Sequence, residues 1–151
     1  MMQRDMTAYT KRTGAHTLDP LGERDTITLT LPEPPSANDY WRMGRSGIHG
    51  APRHMHRTDA ATAYLEAVSM LTSRYHQNGQ CAFPSGDLSV VVIWHRSAKR
   101  GDLPNRTKVL YDALQGSVYA DDRQIAHEET TRVDAHPEIP KGYMRVTVAR
   151  V

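Results

Sequence analysis

Residues Leu88 to Ile125 read LSVVVIWHRSAKRGDLPNRTKVLYDALQGSVYADDRQI, and the alternation of apolar and polar segments within them sets the fold class. Leu88 to Trp94 is the most apolar stretch of the chain. Its run of β-branched residues predicts a central strand buried on both faces. A basic segment follows, and then Leu103 to Gln115 reads as a helix. Val109, Leu110, Ala113 and Leu114 give that helix one apolar stripe, and Gly116 stops it. Gln124 to Val133 reads as the next strand.

Working outward, Thr26 to Leu31 (TITLTL) alternates, which predicts a strand with Ile27, Leu29 and Leu31 on one face. Pro32 to Trp41 is a proline-dense loop, and the glycines from Arg42 to Arg57 continue it, with Gly47 and Gly50 suited to a turn or hairpin tip. Thr58 to Tyr75 reads as a helix. Thr58 is placed to cap it, Asp59 suits its positive end, and Ala61, Tyr64, Leu65, Val68, Leu71 and Tyr75 share one face. Asn78-Gly79 closes it. After a proline- and glycine-bearing turn from His136 to Gly142, Tyr143 to Val151 reads as the last strand. The expected architecture is a small single α/β domain, mixed α+β, over residues 25–151. It has a mixed sheet of about four strands and two main helices. Residues 1–24 are polar and aperiodic, and read as a flexible N-terminal extension.

Composition excludes several classes. The single cysteine, Cys81, cannot form an internal disulfide, and without a Cys-x-x-Cys there is no zinc or redox motif. No apolar run is long enough to span a membrane, and the first residues lack the apolar core of a signal peptide. A cytoplasmic protein of a bacterial or phage-infected bacterial cell is the expectation. A net charge of +2 does not by itself argue for nucleic acid.

The placement of charge argues more. Trp41 to Thr58 holds four arginines (Arg42, Arg45, Arg53, Arg57) and three histidines (His49, His54, His56) with no acid. His95 to Arg100 adds His95, Arg96, Lys99 and Arg100, whereas acids dominate from Asp112 to Glu138. Two basic loops flank a carboxylate cluster: Asp102 after the central strand, and Asp121-Asp122 before the next one. Paired carboxylates at strand ends form an oxygen-rich site of the kind that hard cations such as Mg2+ or Mn2+ prefer. Lys108, six residues after Asp102, is a candidate to offset their repulsion or bind phosphate. On residue types alone, the plainer reading is stronger: Asp102 as a helix cap and Asp121-Asp122 as a turn. Basic loops, however, attract a polyanion by releasing its counterions. Tyr40, Trp41 and Tyr119 read first as core residues and second as surfaces on which bases stack.

Three segments resemble the RusA family of Holliday-junction resolvases. LPEPPSANDYWR, Leu31 to Arg42, is similar to the family's LPxPPSxNxYWR segment. DLPNRTKVLYDAL, Asp102 to Leu114, is similar to its DLDNxxKxxxDAL. Asp121-Asp122-x-Gln124-Ile125 is similar to its Asp-Asp element. Order and spacing agree from about Thr26 to Val151. The resemblance implies a homodimer that makes paired, symmetric incisions in four-way junctions and other branched DNA with Mg2+, Mn2+ substituting. It implies Asp102, Asp122 and Lys108 as catalytic residues with Asp121 beside them, and Asp102, Asp121 and Asp122 as metal ligands. The basic residues Arg42, Arg45, Arg96, Lys99, Arg100 and Lys108 then face DNA. One departure stands out: the family's second catalytic aspartate is Pro104 here. Proline suits the first turn of a helix but offers no ligand atom. The alternative implied by that departure is a junction-binding protein of the same fold with impaired catalysis, unless a carboxylate such as Asp121 or Glu128 substitutes.

Overall fold

Strand β4, Leu88–His95, lies at the centre of the molecule, where its apolar sequence predicts it. The computed structural model describes residues 25–44, 54–134, 136–138 and 142–151. The expected N-terminal extension, Arg45, His49, Arg53 and the glycines at 47 and 50 lie outside them. The other elements are β1 (Thr26–Pro32), β2 (Trp41–Met43), β3 (Met55–Arg57), α1 (Asp59–Thr72), α2 (Leu103–Leu114), β5 (Ile125–Val133) and β6 (Tyr143–Arg150). Four strands form one mixed sheet in the order β1-β6-β4-β5. β6 runs antiparallel to both β1 and β4, and β5 runs parallel to β4. The expected small mixed domain is therefore the observed one.

The helices cover one face of this sheet. Ile27, Leu29 and Leu31 of β1, Leu88, Val90, Val92 and Trp94 of β4, and Met144, Val146 and Val148 of β6 are buried there. Ala61, Tyr64 and Val68 of α1 and Val109, Leu110 and Leu114 of α2 complete the same core. Burial of this apolar surface is the main stabilising term of the fold. β4 is not buried on both faces, as its sequence predicts. Ser89, Val91, Ile93 and His95 stay half-buried because, among the described residues, no helix covers their side.

Two further departures have local causes. Within the expected loop after Trp41, β2 pairs antiparallel with β3, Trp41 opposite Arg57. In α1, Thr58 caps as expected, its side chain accepting from the Ala61 N–H at 3.3 Å. Regular helix stops at Thr72, however, and residues 73–75 tighten into a 3-10 turn. Leu71 sits at the rim of the apolar stripe and is exposed, while Thr72 is buried and donates its hydroxyl to the Val68 carbonyl at 2.7 Å. Cys81 is a half-buried free thiol.

Candidate active site

The unit β4-α2-β5 carries nearly every residue singled out from the sequence, and its topology decides which of them meet. β4 and β5 are parallel, with Leu88 beside Ile125 at one end and His95 beside Val133 at the other. A crossover helix between parallel strands must return from the end of one to the start of the next. Asp102, at the head of α2, therefore lies at the His95 end, and Asp122, just ahead of β5, lies at the Leu88 end. The eight residues of β4 span about 23 Å at roughly 3.3 Å per residue. The expectation that one chain sets Asp102 beside Asp122 is not met. Among the described residues, no three His, Cys, Asp or Glu side chains are grouped so as to hold a metal ion. Among the described residues of one chain, a divalent cation thus finds no complete ligand set.

The head of α2 is built on polar contacts around the buried Trp94. Glu33, in the proline loop, accepts from the Trp94 indole N–H at 2.7 Å, from the Ser97 hydroxyl at 2.6 Å and from the Ser97 backbone N–H at 3.2 Å. This close approach needs Gly142, since a Cβ there would come within 2.7 Å of the Glu33 carboxyl. The Arg106 guanidinium lies 5.6 Å from the Trp94 ring centre and donates to the Pro34 carbonyl. Gly101 turns the chain into α2 with φ +101°, and a Cβ on it would meet the Trp94 ring at 3.1 Å. Asp102 occupies the N-cap position, yet its carboxylate makes no capping bond; it accepts from the Asn105 amide at 3.3 Å. The plain capping reading therefore fails for Asp102, whose exposed carboxylate sits in the favourable field of the helix N-terminus. Asn105 orients it. Pro104, exposed in the first turn, continues the helix without strain.

The tail of α2 gathers phenols and acids. The Tyr111 hydroxyl donates to Glu128 at 2.8 Å, and the Tyr119 hydroxyl donates to the Tyr111 carbonyl at 2.9 Å. Burial, reinforced by the surrounding carboxylates, pushes both phenols well above their ordinary range. Asp112 is raised chiefly by burial, with Lys108 opposing and Asp122 adding to the shift. Lys108 lies one helical turn before Asp112, so it answers this acid rather than Asp102. Asp121 does serve as a turn. Its carboxylate accepts from the Arg123 N–H at 2.9 Å and is held below its usual range by that bond, while Gln124 closes a reciprocal capping box.

The basic residues divide. Arg42, Lys99, Arg100 and Lys108 are exposed. Arg96 is not a free cation: its side chain is 10% exposed and pairs with Asp134 at 2.5 Å. Trp41, expected first as core, is 45% exposed with the Arg57 guanidinium 5.6 Å from its ring centre, whereas Tyr40 and Tyr119 are buried. Glu33 and Arg106 carry no role in the sequence reading. A lone acid among prolines, facing a strand that ends in tryptophan, was the only available signal for Glu33.

Fold and side chains together define a small α/β domain with an open carboxylate at the head of a crossover helix, a second acidic centre beyond its tail, and exposed cations near its head. Compared with known families, the chain matches endodeoxyribonuclease RusA over residues 32–147, well over half its length. It belongs to the RusA family of endodeoxyribonucleases, whose members are Holliday-junction resolvases of DNA recombination and in general depend on a divalent metal. No curated protein matches the chain. No described helix is long and apolar enough to cross a membrane.

Proposed function

We propose that this chain is a junction-selective endodeoxyribonuclease that resolves four-way and related branched DNA by paired incision, and that its acidic centres are completed between two copies. The observation that carries the reading is the separation of Asp102 from Asp122 along β4-α2-β5. A second copy related by a two-fold axis can bring the head of one α2 to the acids beyond the tail of the other. It does so twice, as paired cuts in a two-fold junction require. Asp102 and Asp122 are the proposed ligands of Mg2+ or Mn2+, a cation that supplies charge neutralisation at the scissile phosphate. Asp121 holds the turn that presents Asp122. Lys108 balances Asp112 and remains exposed for a phosphate. Arg42, Lys99 and Arg100 supply the counterion-releasing surface for the DNA backbone. A cytoplasmic location fits this role.

The test is nicking of a synthetic four-way junction, with linear duplex as control, over a range of Mg2+ and Mn2+ concentrations. Incision of the junction and its loss in Asp122→Asn are expected. Pro104 favours one second reading, a protein that binds junctions and cuts them poorly. Tight junction binding without incision at any metal concentration would establish that reading instead. Pro104→Asp separates the two further, because it places a carboxylate in an exposed first-turn position without disturbing the core. A faster rate in that variant is expected of the nuclease.

A further inference from the structure

The paired strands β2 and β3 carry an aromatic surface that the proposed function leaves unused. Their register sets Trp41 opposite Arg57, Arg42 opposite His56 and Met43 opposite Met55. Side chains alternate between the faces of a strand pair, so Trp41, Arg57, Met43 and Met55 share one face and Arg42 and His56 the other. All six residues are exposed, and no acid occurs from Trp41 to Thr58. One face is therefore aromatic and thioether-rich, with the Arg57 guanidinium 5.6 Å from the indole centre, and the other is cationic. A ribbon of two three-residue strands is marginal by itself, and this one is fixed at its root. Tyr40 is buried and meets the Trp41 ring edge-on, with ring centres 5.4 Å apart. The Tyr40 carbonyl accepts from the Thr58 N–H at 3.0 Å, and the Asp39 carbonyl accepts from the Thr58 hydroxyl at 2.7 Å. Thr58 so joins the ribbon to the helix that it caps. Upstream, Glu33 is bound to Trp94 and Ser97, Pro34 to Arg106, and Ala37–Asp39 packs on α2. The chain leading to Trp41 is thus anchored at the head of α2, the end that carries Asp102.

We propose that Trp41 distinguishes branched DNA from continuous duplex, by stacking on a base face laid bare at the branch point. Within a duplex both faces of each base pair are covered by neighbours, so an indole has no partner there unless it prises them apart. Where strands exchange, stacking is interrupted and a face is open. Stacking needs only a π-face, so this contact is indifferent to sequence. Arg57 adds a cation to the same stack. Arg42, on the other face, meets backbone phosphates whether or not the DNA is branched. Charge favours DNA over an apolar protein partner, because the surface joins aromatic area to arginines and lacks any acid. This inference deepens the proposed function and rests on its junction reading, and it assigns selectivity to a residue outside the carboxylate centres.

Binding by the full chain is measured in EDTA, where no incision enters the result, so its failure and the failure of the nuclease reading are distinguishable. The probes are a synthetic four-way junction and a linear duplex of the same arm sequence. The chain has two tryptophans and Trp94 is buried, so Trp41 reports contact through its fluorescence. The junction is expected to quench that emission and the duplex to leave it nearly unchanged. The quench should vanish in Trp41→Phe, while most of the affinity is kept. Trp41→Ala should weaken junction binding about tenfold, with duplex binding and the slope of affinity against salt concentration as in wild type. Arg42→Gln should weaken binding of both DNAs alike and lower the salt slope by about one. Should Trp41→Ala lose stability, the lost quench and kept affinity of Trp41→Phe still decide. Equal losses on junction and duplex in Trp41→Ala would make Trp41 a backbone contact, and no quench by either DNA would leave its face to an apolar partner; each result overturns the proposal. A chain that passes these tests but leaves junctions uncut when Mg2+ or Mn2+ is added overturns the nuclease reading alone.

Discussion

The two ends of α2 are built on opposite principles. At the head, one carboxylate, Asp102, is exposed in the field of the helix N-terminus, shortly after the exposed cations Lys99 and Arg100 in the chain. Its surroundings are fixed by Glu33, Trp94 and Arg106. At the tail, Asp112, Asp122 and Glu128 crowd the buried phenol of Tyr119 and the half-buried one of Tyr111, and the negative end of the helix dipole adds to their repulsion. Lys108 alone on that helix opposes it. The head is suited to receive a polyanion without rearrangement; the tail is an anionic centre short of positive charge. The family's chemistry needs both properties at one place, and a single chain holds them a helix length apart.

The largest expected effect tests that separation. Asp102→Asn and Asp122→Asn should each lower junction cleavage by more than about 100-fold, with binding retained, because each removes a charge that acts on the transition state. Mixing the two inactive variants then distinguishes a site within a chain from one between chains. If a site takes Asp102 from one copy and Asp122 from the other, each mixed dimer has one intact site and one doubly substituted site. With random exchange, about a quarter of all sites are restored, and single-strand nicks should dominate over paired cuts. If each site lay within a chain, every site in the mixture would carry one defect. No recovery after subunit exchange would sink the shared-site reading.

The same contrast explains what could be read from the sequence. The central strand, both main helices and the Thr58 cap were legible because long periodic segments carry their own signal. β2 and β3 were not, since three-residue strands carry no usable period. The half-buried face of β4 was hidden because Val91 and Ile93 are apolar although no helix among the described residues covers them. β5 has exposed polar residues on both faces, a pattern that follows from its position at the edge. At the site, motif order brought Asp102, Lys108 and Asp122 together on the page, but parallel pairing of β4 and β5 sets the first and last at opposite ends. Arg96 illustrates another limit: its charge is spent on Asp134, a partner 38 residues away.

A smaller effect should separate the ends in stability. Glu33→Ala leaves the buried Trp94 indole N–H without its acceptor and frees the turn leading to Asp102. A loss of about 1–3 kcal/mol in urea unfolding is expected, the cost of a stranded buried donor. Tyr111→Phe, at the tail, removes both the donor and the need for it, and should cost about 1 kcal/mol or less. Equal losses would mean that the head is no more rigidly held than the tail, and the contrast would then lie in charge alone.

The smallest effect bears on that charge. The carboxyl of Asp112 titrates above its ordinary value of 3.8, with burial the first cause and Asp122 adding to it against Lys108. A carboxyl raised on folding favours the folded state while protonated, below its unfolded pKa, and that contribution is lost as pH rises through the raised folded value. Wild type should therefore lose stability relative to Asp112→Asn between acid and neutral pH, so the variant's melting temperature should gain on wild type from pH 3 to pH 7. The gain should shrink in Asp122→Asn, where one source of the shift is gone. It should be nearly insensitive to Arg100→Gln at the far end, because exposed charges a helix length away are screened beyond about 10 Å. A pH-independent difference would mean that Lys108 already neutralises the tail, and that a second copy's cations are not needed to relieve it.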